Sequence, residues 1–133
     1  MTEHEAPLVL VVDDEPVLLR ALVRLVQRDR PALGVRSMAE ALAAVRARGS
    51  AIAWILCDVR LGIESGLDLW DALADLAPPL RPRVSFMTGG NVPPQLGARL
   101  ERSGCATLLK PVEPAVLRAH LIERLGAPAS PRA

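Results

Sequence analysis

Aromatic residues are almost missing from this chain, which has two Trp, one Phe and no Tyr in 133 residues. That scarcity argues against the stacking platforms with which proteins hold unpaired bases. A surplus of charge is missing too: sixteen basic residues meet fifteen acidic ones, for a net charge of +1. Such a balance leaves no basic footprint for nucleic acid. No apolar run approaches the roughly 20 residues needed to span a bilayer. The opening stretch MTEHEAPLVLVVDDE has two acids and no Lys or Arg before a short apolar run, which is not the pattern of a signal peptide. Cysteine is scarce, and Cys57 and Cys105 lie in apolar runs without metal-type spacing. They read as reduced core thiols of a cytoplasmic protein. Lysine is the scarcest cation, since fifteen of the sixteen basic residues are Arg and only Lys110 is Lys. Repeats and linkers are absent as well.

What remains is half apolar and about a quarter charged, a globular composition long enough to bury one core. The expected organisation is an N-terminal lead over 1–6, one domain over 7–125 and a flexible tail, GAPASPRA, over 126–133. Five short apolar runs read as strands: LVLVV (8–12), GVRSM (34–38), AIAWILC (51–57), RVSFM (83–87) and ATLLK (106–110). The first and third are apolar throughout, as in parallel strands covered on both faces. Amphipathic segments alternate with them. PVLLRALVRLVQR places Leu18, Leu22, Leu25 and Val26 on one helical face. Shorter helical patterns follow at 39–48, 67–77 and 95–103. The last, 114–125, sets Leu117, Leu121 and Leu125 a turn apart and leaves His120 at its surface or edge. Strict alternation of strand and helix implies a doubly wound parallel sheet with right-handed crossovers.

In such sheets ligands bind beyond the carboxyl ends of the strands, so the polar residues that end the apolar runs are the ones to weigh. The first run ends in Asp13, Asp14 and Glu15, the third in Asp58, the fourth in Thr88 and the fifth in Lys110. Taken singly each has a plain structural reading. Acids before a helix with Pro16 in its first turn are ordinary caps, and a Thr before Gly89 and Gly90 is unremarkable. Together they place three carboxylates at one sheet edge, where they would repel unless a hard cation such as Mg²⁺ intervened. The hydroxyl and the ammonium supply what a phosphoryl group needs, and an Asp so placed can act as a nucleophile toward phosphorus.

At this point the motifs VVDDEP, LCDVRLGIESGLDL, FMTGG and LLKP resemble, in order and separation, the receiver domains of two-component response regulators. The resemblance runs from about residue 7 to 125. It implies the flavodoxin-like fold, a five-stranded parallel sheet in the order 2-1-3-4-5. By position, it implies that Asp58 accepts a phosphoryl group from a sensor histidine kinase and that Thr88 and Lys110 bond that group. Mg²⁺ would be held directly by Asp14, Asp58 and the Arg60 carbonyl, with Asp13 acting through water. Lys110–Pro111 resembles the family's cis peptide bond, and Gly66 the glycine after the acceptor loop. The stretches FMTGGNVPP and LLKPVEPAVLRAHL look closest to receivers appended to hybrid sensor histidine kinases. Only eight residues follow Leu125, so no output domain is expected and a downstream protein partner would read the surface. No membrane or nucleic-acid partner is implied, and the expected state is a monomer or weak homodimer.

Three positions depart from the family pattern. Gly62 stands where the acceptor loop usually carries Pro, which predicts a looser loop. Thr107 stands where a Tyr or Phe usually moves with the Thr, and Val112 where an aromatic often follows Lys-Pro. Arg60 has two readings, leaning over the site or pairing with Glu64. Two other functions stay open at this level. One is a receiver whose contacts no longer depend on phosphorylation. The other is a small hydrolase of the haloacid dehalogenase type with Asp13 as nucleophile, although Glu15 stands where that family's motif wants Asp.

Overall fold

In the computed structural model residues 7–128 are described, so the lead 1–6 with His4 and the tail residues 129–133 lie outside the described part. Five strands form one parallel sheet: β1 (Leu8–Val12), β2 (Ala32–Val35), β3 (Ile52–Asp58), β4 (Val84–Thr88) and β5 (Ala106–Leu109), in the order β2-β1-β3-β4-β5. Five helices connect or follow them: α1 (Pro16–Gln27), α2 (Met38–Arg48), α3 (Gly66–Leu76), α4 (Pro94–Ser103) and α5 (Pro114–Leu125). This is the flavodoxin-like architecture.

The sheet is covered on both faces, which is why β1, β3 and β4 are buried along their whole lengths. Alternate residues serve opposite layers. Leu10, Val12, Ile55, Cys57 and Phe86 meet α2 and α3 through residues such as Val45, Leu67 and Leu73. Val9, Val11, Leu56, Met87 and Leu108 meet α1 and α5 through Leu19, Leu22, Leu117 and Leu121.

Three expectations need correcting. The second strand lies at Ala32–Val35 rather than 34–38, because Ser37 already caps α2 by accepting from the Glu40 amide at 3.1 Å. On α1 the buried stripe is Leu19, Leu22 and Val26, three and four residues apart and packed with Val9, Val11 and Leu56 of the sheet, while Leu18 and Leu25 are only half-buried. His120 is buried rather than superficial, and its Nε2 lies 2.7 Å from the Ser85 hydroxyl.

Candidate functional site

Because all five strands run the same way, their carboxyl ends share one edge. β1 delivers Asp13 and Asp14 there, β3 delivers Asp58, β4 Thr88 and the end of β5 Lys110. The register holds them level. The Lys110 amide donates to the Thr88 carbonyl at 2.8 Å, and the Val59 amide to the Met87 carbonyl at 2.9 Å. Of the three acids after β1, Glu15 takes the capping task, its Oε1 accepting from the Val17 amide at 3.0 Å. That leaves Asp13 and Asp14 for the edge.

Lys110 is the centre of the arrangement. Its Nζ donates to Asp58 Oδ2 at 2.8 Å and to Asp13 Oδ2 at 3.2 Å. Burial alone would lower its pKa, but the bond to Asp58 and the charges of both carboxylates outweigh that and hold it above the ordinary lysine value. Asp13 is wholly buried, and desolvation pushes its carboxyl up, against the Glu15 amide and Lys110, which pull it down. Cys57, which precedes Asp58, is fully buried and its thiol is pushed far up by burial, so it stays a thiol.

Asp13, Asp14 and Asp58 each present a carboxylate oxygen within 4.8 Å of the others. An all-oxygen set of this kind fits a hard divalent cation such as Mg²⁺ and does not suit a soft metal. Beside it opens a cleft lined by Asp14, Asp58, Arg60, Gly62, Thr88, Gly89, Asn91 and Lys110. Asp58 is therefore the acid reached from solvent with the ammonium on one of its oxygens. Its other oxygen, Oδ1, accepts from the Arg60 amide at 3.2 Å. Thr88 is nearly buried, with its Oγ1 accepting from the Gly90 amide at 3.2 Å and its hydroxyl proton still to place. Asp13, the nucleophile a hydrolase reading would need, lies beneath Lys110 and does not line the cleft.

The loop after Asp58 is not loose. Arg60–Leu61 and Glu64–Ser65 pair as a two-residue antiparallel ribbon. Gly62 turns it at φ +66 and donates its N–H to Asp14 Oδ2 at 3.0 Å. A proline there could supply neither that conformation nor that donor. The Arg60 guanidinium bonds the Asn91 carbonyl at 2.9 Å rather than Glu64, so of its two readings it leans over the site. Gly66 is sterically required: a Cβ there would sit 2.5 Å from the Asp58 carbonyl oxygen and 2.9 Å from Cys57 Sγ.

Lys110–Pro111 is cis. Thr107 lies apart from the cleft, exposed on β5 and paired in register with buried Phe86 of β4. Sequence reasoning missed the side-chain bond from Arg60 to Asn91 and the tie between α3 and α4. In that tie Arg99 Nη2 donates to Asp68 at 3.0 Å and to Asp71 at 2.8 Å. The signal for its α3 end was present: Ser65 and Asp68 stand three apart and form a capping box.

A family model described as the response regulator receiver domain matches residues 9–122. Among solved structures, a response regulator receiver protein from Pseudomonas putida is 30% identical with a TM-score of 0.76, over 91% of this chain and 98% of that one. A CheY-like receiver domain protein from Methanospirillum hungatei JF-1 is 21% identical with a TM-score of 0.79, over 91% and 94%. A receiver domain protein from Clostridium thermocellum is 24% identical with a TM-score of 0.76, over 90% and 94%. No curated protein matches the chain at a significant level.

Proposed function

Since the chain belongs to the response regulator receiver domain family, we propose that it is a switch in two-component signalling, set by a phosphoryl group that Asp58 takes from a histidine kinase. One observation carries the reading: of the carboxylates that line the cleft, Asp58 is the one whose Oδ2 Lys110 holds, at 2.8 Å. An electron pair on an Asp58 oxygen attacks the phosphorus of a phosphohistidine. The P–N bond breaks, its electron pair returns to the imidazole nitrogen, and an aspartyl-phosphate remains. Lys110 then exchanges its Asp58 contact for a phosphoryl oxygen, and the Thr88 hydroxyl donates to another. Asp13, Asp14, Asp58 and the Arg60 carbonyl are the groups that would hold Mg²⁺, whose chemistry here is to neutralise the crowded carboxylates and the incoming phosphoryl oxygens. The transition state is loose, so positioning and charge are most of what the protein supplies. Among the described residues no helix is long and apolar enough to cross a membrane. The free thiols Cys57 and Cys105 fit a cytoplasmic setting.

The exposed Thr107 supports a second reading, a receiver that binds its downstream protein partner without regard to phosphorylation. Intact mass after incubation with Mg²⁺ and acetyl phosphate separates the two. The switch reading expects one phosphoryl group on the native chain and none on Asp58→Ala. Undiminished labelling of that variant would place the acceptor elsewhere, and a native chain that takes up nothing would leave the binding module.

A further inference from the structure

The Arg60 guanidinium does something that a solvated surface arginine does not. It reaches from the loop after β3 across the mouth of the cleft to the connection between β4 and α4, where Nη2 donates to the Asn91 carbonyl at 2.9 Å. Among the described residues no carboxylate lies within ion-pair reach of it, unlike Arg81, Arg99 and Arg118; Arg30 likewise bonds a neutral carbonyl, that of Gly126, but away from the cleft. A cation with five donors is thus held at the rim by a neutral acceptor, a weaker partner than any anion.

The far end of that bond matters because of how α4 is attached. Of the five described helices, α4 alone has no buried residue; Leu96 and Leu100 only rest against the core. At its middle it is tied to α3 by the Arg99 bonds to Asp68 and Asp71. At its start it is fed by Asn91, Val92 and Pro93, so the Arg60–Asn91 bond is the polar tie between its leading segment and the acceptor loop. On the other side, β5 presents an exposed Thr107 and no aromatic side chain.

We infer that Arg60 is a phosphoryl-binding residue whose guanidinium exchanges the Asn91 carbonyl for a phosphoryl oxygen, releasing the leading segment of α4. The inference rests on the reading of Asp58 as phosphoryl acceptor. A phosphoryl group brings about two negative charges and three acceptor oxygens to within two residues of Arg60. Thr88 and Lys110 engage two of those oxygens, and the charge at the rim draws the nearest uncommitted cation. Losing its bond to Asn91 then shifts α4 between two arrangements, so that this chain reports its state through the β3–α3 and β4–α4 loops rather than through an aromatic on β5.

The test uses the full chain, labelled with ¹⁵N, in Mg²⁺ with beryllofluoride as the phosphoryl mimic on Asp58. In the native chain, saturation moves the amides of Asn91 and of 95–103. In Arg60→Ala those amides are already displaced toward the saturated positions before beryllofluoride is added, and move little afterwards, while Gly89 and Lys110 still respond. Beryllofluoride binds the variant about fivefold more weakly, the worth of one exposed charge-assisted bond, and Arg60→Lys recovers part of that loss. Arg99→Ala, which frees α4 at its other tie, leaves the affinity unchanged. Native-like α4 amides in free Arg60→Ala, with a full response and unchanged affinity, overturn the inference alone. A native chain that forms no adduct overturns the acceptor reading and the inference with it.

Discussion

His120 shows how one buried side chain can make the fold respond to pH. Trp54 Nε1–H donates to Ser85 Oγ at 2.8 Å, and an indole can only donate. The serine's own proton is then free for His120 Nε2 at 2.7 Å, an arrangement that uses a neutral imidazole protonated at Nδ1. Burial lowers the His120 pKa, the Arg124 charge lowers it further, and Glu123 opposes them weakly. Arg124 also stands over the Trp54 ring, 5.9 Å from its centroid. For a base whose folded pKa is depressed, the stability it contributes is complete above the unfolded value of about 6.5 and is lost as pH falls through the folded one. Urea midpoints measured from pH 7.5 down to 5 should therefore fall for the native chain. They should fall less for His120→Gln, which cannot titrate there and is about 1 kcal/mol less stable at pH 7.5. Parallel profiles for the two would mean that His120 does not titrate in this window. The residue was harder to place from sequence than Asp58 or Lys110, because a polar type on an amphipathic helix suggests the surface. Its position was nonetheless informative, three residues after Leu117 and one before Leu121, within the stripe that faces the sheet. The acidic and cationic residues of the site were legible for the opposite reason: each interrupts an apolar run at the place where a strand must end.

At the scale of elements, helices on the same sheet are held very unequally. α5 buries Leu117, His120 and Leu121, whereas α4 fully buries nothing. Hydrogen exchange should follow that difference, with the amides of 95–103 opening by local fluctuation and those of 117–124 protected nearly to the global limit. Truncation should separate them as well. Leu117→Ala should cost about 2–5 kcal/mol, as full burial implies, and half-buried Leu100→Ala roughly 1 kcal/mol. Equal costs in equilibrium denaturation would show that α4 is anchored as firmly as α5. The periodicities that revealed these helices stop short of such distinctions, because they give the face of a helix and not the depth to which it is pressed. Boundaries were recoverable where a cap was noticed. GVRSM looked like a strand, yet Ser37 lies three before Glu40, and that spacing marks the start of α2. The loop after Asp58 resisted for another reason. Its ribbon depends on Gly62 at positive φ and on a bond to Asp14 some fifty residues earlier, a contact that no local pattern encodes.

Across the whole molecule, one consequence of a parallel sheet is that its strands end together, and here three carboxylates face a single ammonium at that edge. The sequence order of apolar runs and polar endings made this edge foreseeable once the sheet was inferred. The energetic consequence came only with burial, since Asp13 is fully enclosed and its desolvation raises its pKa despite Lys110. For an acid raised in this way the favourable contribution is present below the unfolded value of about 3.8 and is lost as pH rises through the folded pKa, so at neutral pH ionised Asp13 works against the fold. Replacing it by Asn removes the charge and keeps an acceptor for Lys110, at the cost of the bond that Asp13 Oδ1 accepts from the Glu15 amide. With that lost bond set against the relieved charge, Asp13→Asn should still be more stable than the native chain in the absence of divalent cations, by about 1 kcal/mol or less. Mg²⁺ should relieve the same charge in the native chain, raising its stability by about 2.7 kcal/mol at a hundred times the dissociation constant. The variant, with one carboxylate fewer, should gain much less at the same Mg²⁺ concentration. Thermal and urea unfolding with EDTA and with Mg²⁺ measure all four states. A variant less stable than the native chain in EDTA would show that Lys110 more than offsets the buried charge. Native stability indifferent to Mg²⁺ would show that these carboxylates are held apart by the protein alone, and that the charge balance of this edge needs no cation.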